Sequence, residues 1–180
     1  MPIHRLNHAV LYVRDVARSV AFYRDVLGFE VISELGGQAA FLRAAGSTND
    51  HDLGLFGIGA QAGDSAAGRS TVGLYHLAWE VETLRGLEAL AGLLAAADAL
   101  VGATDHSTTK SLYGKDPDGL EFEIAWIVPA DRLDESALAG RAQLRPLDLA
   151  REIARYGADT SGGIGISRTA AAPNAQPARP

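Results

Sequence analysis

Residues 7–29 read NHAVLYVRDVARSVAFYRDVLGF, and the fold is read outward from them. In the first part, Ala9, Leu11 and Val13 fall on one side of an extended chain and His8, Val10 and Tyr12 on the other, the alternation of a strand with one packed face. Asp15 then stands where a helix N-cap belongs. Val16, Val20, Tyr23 and Leu27 recur at helical spacing, and Gly28 closes the run. Three strand candidates follow at residues 29–35, 39–44 and 52–58, separated by turn formers at Gly36, Gly37 and from Gly46 to Asn49. The order is β-α-β-β-β.

After GIGAQAGDSAAGRS (57–70), whose Gly, Ala and Ser content reads as a flexible connector, the order repeats. Residues 74–81 form a strand, 83–97 an Ala/Leu-rich helix, and 100–103, 110–115 and 120–127 three more strands. Laid together, the halves pair His8 with His76, and a gap of a single residue then pairs HDLGLF (51–56) with LEFEIA (120–125), setting Gly54 opposite Glu123. The expected fold is α+β: two tandem βαβββ modules, residues 4–59 and 71–129, forming a curved mixed sheet around a metal cleft. The connector is 60–70, a helical extension covers 130–158, and a Gly/Ala/Pro-rich tail at 159–180 is expected to be disordered.

Composition narrows the function. The chain has 180 residues, a formal charge of −6 and 16 scattered Lys and Arg, which argues against a nucleic-acid surface. It has no cysteine, so disulfides, thiolate sites and cysteine nucleophiles drop out and a metal would take nitrogen and oxygen ligands. No signal segment or long apolar run stands out, so no membrane span is expected and the cytoplasm is the expected location.

Parity places three candidate ligands on one concave surface. Leu77, Trp79 and Val81 make an apolar row, turning His76 the other way. Phe122, Ile124 and Trp126 do the same for Glu123, and Ala9, Leu11 and Val13 for His8. A carboxylate between apolar neighbours is costly to desolvate unless a cation or strong donors compensate it. Two His and one carboxylate also leave coordination positions for substrate. Read alone, a His in a strand is more often a satisfied core or surface residue than a ligand. It is the repeat that links the two.

The segments NHAVLYVRDVARSVAFYRDVLGF, YHLAWEV (75–81) and SLYGKDPDGLEFEIAW (111–126) resemble the vicinal-oxygen-chelate superfamily, over residues 4–128. That superfamily includes glyoxalases, fosfomycin-resistance proteins, bleomycin-binding proteins and extradiol dioxygenases. The resemblance implies a divalent metal held by His8, His76 and Glu123: Fe(II) foremost, with Mn(II), Zn(II) or Ni(II) as alternatives. It also implies a small-molecule substrate and a homodimer, the ligands coming from one chain or from two. Typical glyoxalases I add a carboxylate in the first module, where this chain has Gly54. NDHDLGLF (49–56) is similar to the dioxygenase segment carrying an acid/base histidine, matched by His51. Tyr113 matches a dioxygenase active-site tyrosine, and His106 lies near, at a different spacing from, a substrate-orienting histidine. The implied activity is extradiol-type cleavage of a catechol-like diol with O2. Glyoxalase-type lyase, isomerase or thiol-transferase chemistry and metal-free ligand binding are the alternatives. Against these roles, His51 also reads as a solvated loop residue, Tyr113 as a packed aromatic, Lys110 and Lys115 as solvated charges, and Asp116 and Asp118 as residues that shape the turn.

Overall fold

The computed structural model describes residues 2–67 and 70–165. The first module runs β1 (Ala9–Val13), α1 (Val16–Asp25), β2 (Glu30–Leu35), β3 (Ala39–Arg43) and β4 (Leu53–Gly57). Asp15 caps α1 by accepting from the Arg18 N–H at 3.0 Å. Gly28 follows the helix with φ +75°, a conformation that favours a residue without Cβ. The strands form one sheet in the order β1-β4-β3-β2. β1 lies parallel to β4, and the other neighbours are antiparallel.

The expected parity holds in this sheet. Leu11, Val13, Ala40, Leu42, Leu53 and Leu55 are buried together with Val16, Val20 and Tyr23 of α1. Each such leucine contributes about 1.5–3 kcal/mol relative to an exposed one. On the opposite face Val10 and Tyr12 are 52% and 71% exposed and Phe56 is 37% exposed.

The second module runs β5 (Leu77–Glu80), α2 (Leu84–Ala96), β6 (Leu100–Asp105), β7 (Thr109–Lys115) and β8 (Glu121–Ile127). The extension adds a 3-10 turn (Ala130–Arg132), α3 (Glu135–Gly140), β9 (Arg145–Pro146) and α4 (Leu149–Tyr156). The second sheet has the order β5-β8-β7-β6-β9, so the strands divide between two hydrogen-bonded sheets. β9, read from sequence as part of a helical stretch, extends that sheet at its edge, where a proline such as Pro146 costs no ladder bond.

Two compact units emerge. One holds the residues up to Leu77 with Leu93–Leu100 and Gly114–Phe122; the other holds Ala78–Gly92, Val101–Tyr113 and the described residues from Glu123 onward. The Asp-Pro-Asp-Gly turn thus joins the first unit although it belongs to the second repeat, and side-chain chemistry accounts for it. Asp118 accepts from the Arg14 N–H at 2.9 Å and from the Arg14 and Arg18 guanidinium groups at 3.1 and 2.6 Å. The Tyr23 hydroxyl donates to Asp116 at 3.2 Å, and the Phe22 and Phe122 rings lie 5.9 Å apart. Asp116 does shape the turn, its Oδ1 accepting from the N–H groups of Asp118 and Leu120. Asp118 instead anchors two arginines.

Within the second unit Lys110 is not a solvated charge but fully buried. Its Nζ lies 2.5 Å from Asp105 and 2.9 Å from Glu152, which α4 supplies. Two carboxylates compensate the ammonium that burial would otherwise penalise. For the expected disordered tail, residues 166–180 lie outside the described residues, while 159–163 are hydrogen-bonded. Thr160 C=O accepts from the Trp126 indole, and the N–H groups of Gly162 and Gly163 donate to Glu82 and Ile127 carbonyls. A Cβ on Gly162 would stand 2.6 Å from Trp126 Nε1, so only glycine passes there.

Candidate functional site

His8 precedes β1 and is exposed, with Nδ1 2.7 Å from Asn7 Oδ1. That contact leaves Nε2 as the nitrogen for any ligand role. His51 lies in the β3–β4 loop, two residues before β4, with its Nδ1 2.9 Å from Asp50 Oδ2. The two imidazole rings are 4.7 Å apart, and the Phe41 ring packs on His51 at 5.0 Å. The loop that delivers His51 is organised by Asp52. This buried carboxylate accepts from the Ala44 N–H, the Ser47 hydroxyl and the Asn49 amide, and Asn49 also donates to Asn7 C=O beside His8. Burial works against the Asp52 charge, but the three donors outweigh it and hold the carboxyl below its ordinary range.

His76 is half-buried just ahead of β5, its ring 4.6 Å from that of Tyr75. Tyr75 lines a cavity of about 690 Å³ together with its neighbour Leu74, Asp64 of the connector, and Lys115, Leu120 and Glu121 around the Asp-Pro-Asp-Gly turn. Tyr75 carried no role in the sequence analysis. Lys115 is about half exposed, 3.6 Å from Glu121.

The second unit gathers the other candidates. His106 Nε2 and the Tyr113 hydroxyl are 2.8 Å apart. Glu123 is half-buried on β8, and its Oε1 accepts from the Ser111 hydroxyl at 2.5 Å. Ser111, given no task in the sequence analysis, is fully buried. The missed signal was a buried-type hydroxyl on the neighbouring strand, in parity with Glu123.

Gly54 pairs with Val10 and with Phe41 across the first sheet. A Cβ there would meet the Val10 and Phe41 side chains at 3.4 and 3.6 Å, ordinary contact distances. No carboxylate from this position joins the site. Among the described residues no group of three or more His, Asp and Glu side chains stands close enough to hold an ion. The donor types nevertheless suit a hard or borderline divalent metal: imidazole nitrogen with Nδ1 already engaged, and a carboxylate with one oxygen held by a hydroxyl.

The model of the Glyoxalase/Bleomycin resistance protein/Dioxygenase superfamily matches residues 5–124, and the chain belongs to that superfamily. It is similar to the Catechol-2,3-dioxygenase of Bacillus subtilis (strain 168), 30% identical over 122 residues, which make up 66% of this chain and 40% of that protein. The chain therefore spans less than half the length of this relative. Among solved structures it resembles lactoylglutathione lyase from Agrobacterium tumefaciens, with TM-score 0.52 and 23% identity, covering 69% of this chain and 95% of that one. It also resembles a variant of the fosfomycin resistance protein FosX from Listeria monocytogenes complexed with Mn(II) and 1S,2S-dihydroxypropylphosphonic acid, with TM-score 0.52 and 22% identity, covering 68% of this chain and 90% of that one. At these identities the likeness to the two structures speaks for the fold. No helix among the described residues is long and apolar enough to cross a membrane.

Proposed function

We propose that this chain is a metal-dependent extradiol-type dioxygenase that opens a catechol-like ring with O2, with His8, His76 and Glu123 as the ligands of Fe(II). The observation that carries the reading is the hydrogen-bonded pair of His106 and Tyr113, 2.8 Å apart, in the same compact unit as Glu123. Similarity to a catechol dioxygenase supports it. A divalent ion held by these residues would supply Lewis acidity toward the diol and, as Fe(II), electrons for O2. The chain's own residues do the rest. His51, beside His8, receives the diol proton and returns it as the ring opens. Tyr113 and His106, already bonded to each other, present a phenol oxygen and an imidazole nitrogen that hold the substrate oxygens in register. Both atoms of O2 enter the product, and the ring C–C bond beside the diol breaks.

The protein is further proposed to work in the cytoplasm as a homodimer. The support for the dimer is the exposed apolar face of Val10, Tyr12 and Phe56 on the first sheet, next to His8, where a second copy would remove apolar surface from water.

The deciding experiment is an oxygen-electrode screen of anaerobically Fe(II)-loaded protein with a panel of catechols. O2 uptake with a yellow ring-opened product is expected. Absence of uptake from iron-loaded protein, with turnover of methylglyoxal and glutathione instead, would move the assignment to glyoxalase chemistry.

A further inference from the structure

We propose that Ser111 is a positioning residue for Glu123: its hydroxyl fixes the rotation of the carboxylate and so sets the affinity and geometry of the metal site. This rests on the reading of Glu123 as a ligand. Ser111 lies in β7 with zero exposure, and its Oγ is 2.5 Å from Glu123 Oε1. β7 and β8 are neighbours in the second sheet. The bond therefore joins two strand centres and cannot swing as a loop contact would.

The chemistry favours such a role. A hydroxyl can rotate to donate to a carboxylate, and a donor bond to a charged oxygen at this distance is among the stronger kinds. A carboxylate side chain has a soft terminal torsion, so an unsupported Glu samples many orientations of its oxygens. Pinning Oε1 removes that freedom before any ion arrives. Outer partners of metal-bound carboxylates act in this way, and their loss typically lowers metal affinity about 10–100-fold. Ser111 is also the smallest side chain that can supply the donor. Its own burial keeps water from competing for the Glu123 oxygen.

The test compares Co(II) binding by wild type, Ser111→Ala, Ser111→Cys, Ser111→Thr and Glu123→Gln, read as Kd by titration and as the intensity and position of the visible d–d bands. Wild type is expected to bind and Glu123→Gln to lose binding. Ser111→Ala should weaken Co(II) about 10–100-fold with a changed band pattern, whereas Ser111→Thr, which keeps the hydroxyl, should restore the wild-type spectrum. Ser111→Cys, nearly isosteric with a weak donor, should fall between and serves if the alanine variant does not fold. Wild-type affinity and spectrum in both Ser111→Ala and Ser111→Cys would overturn the role of Ser111 while leaving the metal site standing. Unchanged Co(II) binding by Glu123→Gln, or none by wild type, would overturn the ligand assignment and this inference with it.

Discussion

His8 and His51 stand ring to ring, their centroids 4.7 Å apart and their planes tilted by 45°. Each has its Nδ1 beside a side-chain oxygen of the residue before it, Asn7 and Asp50 respectively. In the proposed reaction His8 would be a ligand and His51 a proton carrier, two roles that call for such adjacency.

Replacing His51 tests that division of labour. His51→Gln should lower kcat about 10²–10⁴-fold, the usual contribution of a positioned acid/base, while metal content stays at the wild-type level. Steady-state rates with metal analysis of the same samples check it. Loss of metal in this variant would make His51 a ligand instead.

Tyr113 offers a test of substrate orientation. Tyr113→Phe keeps the ring and removes only the oxygen bonded to His106. KM for the diol should rise about 10-fold, corresponding to a lost hydrogen bond of roughly 1–1.5 kcal/mol, with metal affinity unchanged. Kinetics alongside a metal titration would show it. A KM equal to that of wild type would reduce Tyr113 to a packed aromatic.

Asp52 gives a pH dependence with a definite sign. Its carboxyl lies below the ordinary range in the folded chain because three donors favour its charged form. Such a group stabilises the fold fully above its unfolded pKa, about 3.9, and loses that contribution as pH falls through the lower folded value. Asp52→Asn should therefore cost about 1–3 kcal/mol at pH 7, and the gap to wild type should narrow below about pH 4. Urea unfolding across pH 7 to 2.5 measures it.

The exposed face of the first sheet predicts an assembly. Tyr12→Glu places a charge among Val10 and Phe56 and should shift the protein from dimer to monomer in light scattering. A wild-type protein that is monomeric at micromolar concentration would remove the dimer from the account.

Strand parity made much of this structure legible. Leu11 and Val13 are buried while Val10 and Tyr12 are exposed, and Phe122, Ile124 and Trp126 are buried while Glu123 is only half so. Side-chain alternation is local, so six or seven residues suffice to read it. What escaped depended on distant partners. Lys110 looked like a solvent charge because its partner Glu152 comes from α4, beyond the matched superfamily region, and no periodicity links the two. Asp118 looked like a turn residue because Arg14 and Arg18 reach it from the other end of the chain. The pairing of Ser111 with Glu123 depends on the register of two strands, which the alternation within either strand does not fix.

The most direct measurement is the iron content of anaerobically loaded, desalted protein, taken for wild type and for His8→Ala, His76→Ala and Glu123→Gln. The account predicts a single tightly held ion per wild-type chain and its loss in each variant, with the fold retained by circular dichroism. Wild-type protein that retains no ion, or variants that retain the wild-type amount, would contradict it.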